Sequence, residues 1–232
     1  MANFLRMVTG LLLLPACWGA TRMLADAIVA AAGSTDGFGA EPLALLGGLA
    51  VFAFAWLVLP HPVKTYVFGH ELTHALWGLV FGARPSALRV GARGGSVNLT
   101  KSNVVITLAP YFFPFYTFVV SLAALAVWLV AGRLPWLPLW LFLVGLTWSF
   151  HFLFTLETLA QRQPDVTLYG RLFSWTFIYL GNVLFIVLWL AVTTDFTFAQ
   201  FGASLTARVG SAYAGVGSAF AGAFARLRRC LA

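Results

Sequence analysis

Apolar residues run along this chain in long blocks, separated by short stretches rich in polar residues, glycine and proline. Six blocks have the length and continuity of membrane helices: Met7 to Ala31, Leu43 to Leu59, Val63 to Phe81, Val104 to Val130, Trp136 to Leu159 and Leu172 to Val192. A helix needs about 20 apolar residues to cross a hydrocarbon core of about 30 Å. Between the first two blocks, "GSTDGFGAEP" supplies glycine, Asp36, Glu41 and Pro42 as helix breakers.

Three places depart from plain apolar helix. After the third block, Leu88, Val90 and Ala92 alternate with Arg89, Gly91 and Arg93, and Val97 and Leu99 resume the alternation beyond Gly94-Gly95. That pattern predicts a β-hairpin with its tight turn at the two glycines. An open sheet edge cannot face lipid, so the hairpin belongs at the interface or against protein. The fourth block carries Pro110 and Pro114 in "LAPYFFPFYTF", which predicts a kink or break near its start, turned toward the bundle interior. After the sixth block, Phe201, Leu205, Val209, Tyr213, Val216, Phe220, Phe224 and Leu227 recur at helical spacing and "RLRRC" follows them. This is the pattern of a basic amphipathic helix lying on the membrane surface or along the bundle. Within the first block, Arg22 and Asp26 are one turn apart and are expected to pair.

Composition strengthens the membrane reading. The chain is 61% hydrophobic and 9% charged, against roughly 25% charged in a soluble domain. Its net charge of +7 comes from basic residues at loops and in the tail. They suit anionic lipid headgroups and call for no nucleic acid. Two cysteines, Cys17 and Cys230, make neither a disulfide framework nor a thiolate metal site.

Against that scarcity of ionisable groups stands "FGHELTHALWG" in the third block. His70 and His74 are four apart, so on a helix both rings lie on one face with about 5–6 Å between Cβ atoms. Both can therefore reach one zinc ion. Glu71 is turned by about 100° from His70. It can take a proton from a water polarised by the metal and deliver it to a leaving amine, the arrangement of H-E-x-x-H peptide hydrolysis. Ionisable residues inside a membrane are costly to bury, which favours a functional reading over a structural one.

A His-Glu-Leu-Thr-His membrane helix followed by a Gly-rich interfacial hairpin and further spans resembles the site-2 protease family of intramembrane zinc metalloproteases. The likeness covers about Val67 to Gly170 and is nearest to the short bacterial, peptidase M50-like type without a PDZ domain. The stretch of about 20 residues between Gly82 and Val104 leaves no room for such a domain. The resemblance implies cleavage of a peptide bond within or beside a substrate's transmembrane segment. It assigns His70 and His74 as zinc ligands and Glu71 as general base. It also implies that the hairpin around Gly95 pairs with an unwound substrate by strand addition.

The family takes its third zinc ligand from an Asp on a later helix, in an Asn-Pro-x-Asp-Gly or Leu-Asp-Gly setting. This chain has "QRQPDVTLYG" instead, and Asp165, directly after Pro164, is the counterpart by position. His151 and Glu157, in "HFLFTLETL", lie deeper on the fifth block, closer to the depth of His70. Either is an alternative ligand or a residue that orients one. Asn182 can bond a neighbouring helix or hold substrate backbone, and His61 reads as interfacial.

The expectation is an all-α polytopic membrane protein with about six transmembrane helices, a small interfacial β-hairpin and a C-terminal amphipathic helix. Residues 1–60 form an N-terminal transmembrane helix pair, 61–200 a metalloprotease-like membrane core, and 201–232 the amphipathic basic tail. It is expected in the cell (inner) membrane as a multi-pass protein with Zn²⁺ as cofactor. Its partners are then the lipid bilayer and a membrane-protein substrate. Two other classes fit the same residues: a zinc-binding, non-proteolytic scaffold or sensor, and a small metal or proton transporter. The chain has no evident inverted repeat, which many transporters show.

Overall fold

The computed structural model describes residues 2–33, 39–91, 94–194 and 197–231. Asp36, with half of the first linker, and hairpin residues Ala92 and Arg93 lie outside them. The protein is mostly helical, with one two-stranded antiparallel sheet. In order the elements are α1 (Ala2–Gly33), α2 (Ala40–Val58), α3 (Val63–Val80), β1 (Pro85–Gly91), β2 (Gly94–Leu99) and α4 (Val104–Leu108). A 3₁₀ turn (Ala109–Tyr111) follows, then α5 (Phe115–Ala131), α6 (Leu137–Ala160), α7 (Pro164–Tyr169), α8 (Arg171–Thr193) and α9 (Phe198–Leu231).

Among the described residues, four helices are long and apolar enough to cross a membrane: α1, α2, α6 and α8. The segment from Val104 to Tyr111 and α5 make a fifth if the two are one span bent by 83°. α3 is not in that set, because Lys64, His70, Glu71 and His74 dilute its apolar residues.

The chain forms two compact units, 1–35 with 169–232, and 36–168. In the first, Ala20 and Met23 of α1 meet Val183 and Val187 of α8 in a buried core that Phe201 and Leu205 of α9 help cover. Gly19 allows α9 to come close, since a Cβ there would stand 2.6 Å from the Val209 Cα. Arg208 Nε donates to Asp26 Oδ2 at 2.6 Å, so the partner of Asp26 comes from α9. This corrects the expected Arg22 pairing: the longer-range partner closes a helix contact that a same-helix pair would not. One turn beyond, the Tyr213 hydroxyl donates to the Leu12 carbonyl at 2.6 Å. Past Tyr213 the stripe of Val216, Phe220, Phe224 and Leu227 is exposed.

In the second unit, α2 and α6 touch backbone to backbone. A Cβ on Gly48 would overlap the Phe142 carbonyl, and one on Gly145 the Leu45 carbonyl. Small residues at such crossings let membrane helices approach closely. The hairpin pairs Gly91 with Gly94 and Val90 with Gly95. Gly94-Gly95 are therefore the first residues of β2 and do not form the expected turn. Gly95 is required for a different reason: a Cβ there would stand 2.7 Å from Val67 Cγ1 and 2.8 Å from Glu71 Cγ. The strand lies flat on α3 because that position has no side chain. The chain breaks at the two prolines. α4 ends at Leu108 and Pro114 caps α5. Residues 109–113 between them are buried in protein, which satisfies the need to cover irregular backbone.

Candidate metal centre

α3 starts after Pro62 and runs unbroken to Val80, so His70 and His74 project from one face with ring centroids 4.9 Å apart. Asp165 comes from elsewhere. α6 ends at Ala160, and the chain turns through Gln161 to Gln163 before α7 starts at Pro164. Asp165, in the first turn of α7, stands with its Oδ2 3.8 Å from His70 Nε2 and 3.6 Å from His74 Nε2. One donor atom from each of the three residues lies within 4.8 Å of the other two, a group that can hold a metal ion. It is the group of this kind found among the described residues.

The donor chemistry fits. Two imidazoles and a carboxylate with one position left open is a set that catalytic zinc uses. Ligand atoms about 2.0–2.1 Å from a tetrahedral ion stand roughly 3.3 Å apart. The two separations to Asp165 exceed that by about half an ångström or less. His74 Nδ1 lies 2.8 Å from the Ile106 carbonyl oxygen. A carbonyl can only accept, so Nδ1 carries a proton and Nε2 is the ring nitrogen turned toward Asp165. The Asp165 carboxyl is pushed up by burial, but hydrogen bonds and charge from His70 and His74 outweigh this and hold it well below the usual carboxylate range. Asp165 is therefore an anion at neutral pH, as a ligand must be.

These residues line a cavity of about 800 Å³. Glu71, 7% exposed, lies on its wall next to residues 94–97 of β2. Glu71 is outside the donor trio, as its angular offset on the helix requires.

The two alternative ligands are elsewhere. His151 is buried and lines a second, much smaller cavity of about 20 Å³, which it shares with His70 and Thr73. Glu157 lines the main cavity, but its Oε1 faces His61 Nδ1 at 3.6 Å. His61, expected to be merely interfacial, stacks on Trp56 and bonds the Trp56 carbonyl through Nε2 at 3.1 Å. Asn182 belongs to the first unit, where its amide donates to the Ile178 carbonyl one turn back at 2.9 Å.

The sequence reading did not find two contacts at the site, although an asparagine just ahead of an apolar run is an N-cap signal. The Tyr111 hydroxyl donates to Asp165 Oδ2 at 3.1 Å, and the Asn103 side chain caps α4 by accepting from the Ile106 amide at 2.9 Å. A tyrosine between two prolines in a buried break was the one available hint for the first.

No protein-family model, curated protein or solved structure matches this chain. Function is therefore argued from the site.

Proposed function

We propose that this protein is a zinc-dependent intramembrane endopeptidase of the site-2 protease type. It is a multi-pass protein of the cell (inner) membrane in which α3 is a sixth membrane segment. The observation that carries the reading is the meeting of His70, His74 and Asp165 at one cavity with Glu71 on its wall. The resemblance of "HELTH" and the hairpin to site-2 proteases supports it.

A zinc ion held by these three residues supplies Lewis-acid polarisation of a carbonyl and lowers the pKa of a water toward about 7. The rest falls to the chain. Glu71 accepts the proton of the attacking water and returns it to the nitrogen of the departing amine. Its near-complete burial beside β2 keeps the carboxylate out of bulk solvent, where a proton would be lost between the two steps. The His74 imidazole is held in one tautomer by Ile106, and Asp165 stays anionic through its histidine neighbours. A substrate segment unwound from its helix can lie along β2, since residues 94–97 face the cavity beside Glu71. The main-chain groups of a strand edge bind extended peptide without regard to side chain.

The test is cleavage of unwound transmembrane peptides by zinc-loaded protein in proteoliposomes. Wild type cuts and Glu71→Gln does not. Cleavage that survives Glu71→Gln contradicts the mechanism. A zinc-loaded wild type inert to every such peptide favours a scaffold or sensor, and chelator-insensitive metal or proton flux favours a transporter.

A further inference from the structure

The buried break between α4 and α5 has no role in the chemistry above, yet it reaches all three metal-binding side chains. Tyr111, at its centre, is fully buried. Its hydroxyl donates to Asp165 Oδ2, the same oxygen that faces both histidines, at 3.1 Å. Its ring meets His70 edge-on with centroids 5.2 Å apart. Five residues earlier, the Ile106 carbonyl accepts from His74 Nδ1, and Asn103 holds the Ile106 amide. The helical partner of the Ile106 carbonyl would be the amide of residue 110, which is Pro110 and has no N–H, so this oxygen is free to accept from His74. Terminating α4 at Leu108 and turning by 83° points Tyr111 at Asp165.

We propose that Tyr111 is a positioning residue for the metal centre, fixing the Asp165 carboxylate, and that the proline break exists to present it together with the Ile106 carbonyl. This rests on the zinc-site reading and extends it to residues that touch no metal. A carboxylate on a short helix is otherwise free to turn about its last torsion, and the phenol restricts it to the orientation that faces His70 and His74. Partners of this kind are worth about 10–100-fold in metal affinity.

The experiment is zinc affinity by chelator competition for detergent-purified full-length protein, with the cobalt(II) absorption spectrum as a second readout. The proteins are wild type, Tyr111→Phe, Asp165→Ala and the double variant. Tyr111→Phe removes one oxygen and keeps the ring packing. The expected result is a 10–100-fold loss of zinc affinity and an altered cobalt spectrum in Tyr111→Phe, with no further loss when the change is made in Asp165→Ala. Asn103→Ala, which loosens the same segment without touching Tyr111, provides a second variant and is expected to weaken zinc by a smaller factor. Wild-type affinity in Tyr111→Phe overturns the inference and leaves the zinc site standing. An equal loss in both backgrounds also overturns it, since Tyr111 would then act on folding alone. Wild type that binds no zinc removes the site reading and this inference with it.

Discussion

Nε2 of His74 and Oδ2 of Asp165 stand 3.6 Å apart, although one belongs to the 18-residue α3 and the other to the first turn of a six-residue helix. That contact turns a two-histidine motif into a three-donor site. It depends on the chain reversing after α6, so that Asp165 comes back to the face of α3 that presents His70 and His74.

Gly95 sets the distance between the hairpin and Glu71. A Cβ there meets the Arg89 carbonyl oxygen at 2.7 Å as well as Val67 and Glu71, and the backbone oxygen cannot swing away. Gly95→Ala is therefore expected to destabilise the protein by about 1–3 kcal/mol and to lower peptide cleavage. Gly202→Ala, on α9 with open space around it, serves as the control and gains up to about 1 kcal/mol. Denaturation in detergent, with cleavage measured on the same samples, checks both.

How much of this was legible in the sequence follows from the range of each interaction. His70 and His74 could be paired on paper because helical geometry alone brings them together. The helix blocks were legible too: the fifth reads Trp136 to Leu159 and folds as Leu137–Ala160. Asp165 needed the tertiary path. It lies beyond the end of the fifth block, and the turn at Gln161 to Gln163 brings it back to α3. Gly94-Gly95 misled because a glycine can mark a turn or a close approach, and the pattern does not say which. Spacing pairs Asp26 with Arg22 because it cannot see Arg208 on α9.

The Arg208–Asp26 contact makes its own prediction. Both groups are part-exposed, so in water the pair would be worth little. On α1, a helix of membrane-spanning character, a lone charge costs up to about 2.5–3.5 kcal/mol, the value at a helix centre. Arg208→Ala or Asp26→Ala alone is thus expected to loosen α9 more than the two changes combined. Protease sensitivity of α9 in nanodiscs reports this. A double variant more sensitive than either single one would contradict it.

Gly48 and Gly145 hold α2 against α6. Replacing either with valine forces backbone apart at a carbonyl contact, and overpacking of this kind costs about 1–3 kcal/mol or more. Each single variant is expected to melt earlier than wild type, with zinc binding intact in the fraction that stays folded. Thermal scanning combined with metal analysis tests the pair.

The account stands most directly on zinc content per chain in folded, detergent-purified protein after zinc loading. It predicts about one zinc in wild type, Glu71→Gln, His151→Ala and Glu157→Ala, and its loss, once free metal is removed, from His70→Ala and Asp165→Ala, whose two remaining donors hold zinc only weakly. No zinc in folded wild type, or zinc kept in Asp165→Ala and lost in His151→Ala or Glu157→Ala, would contradict it.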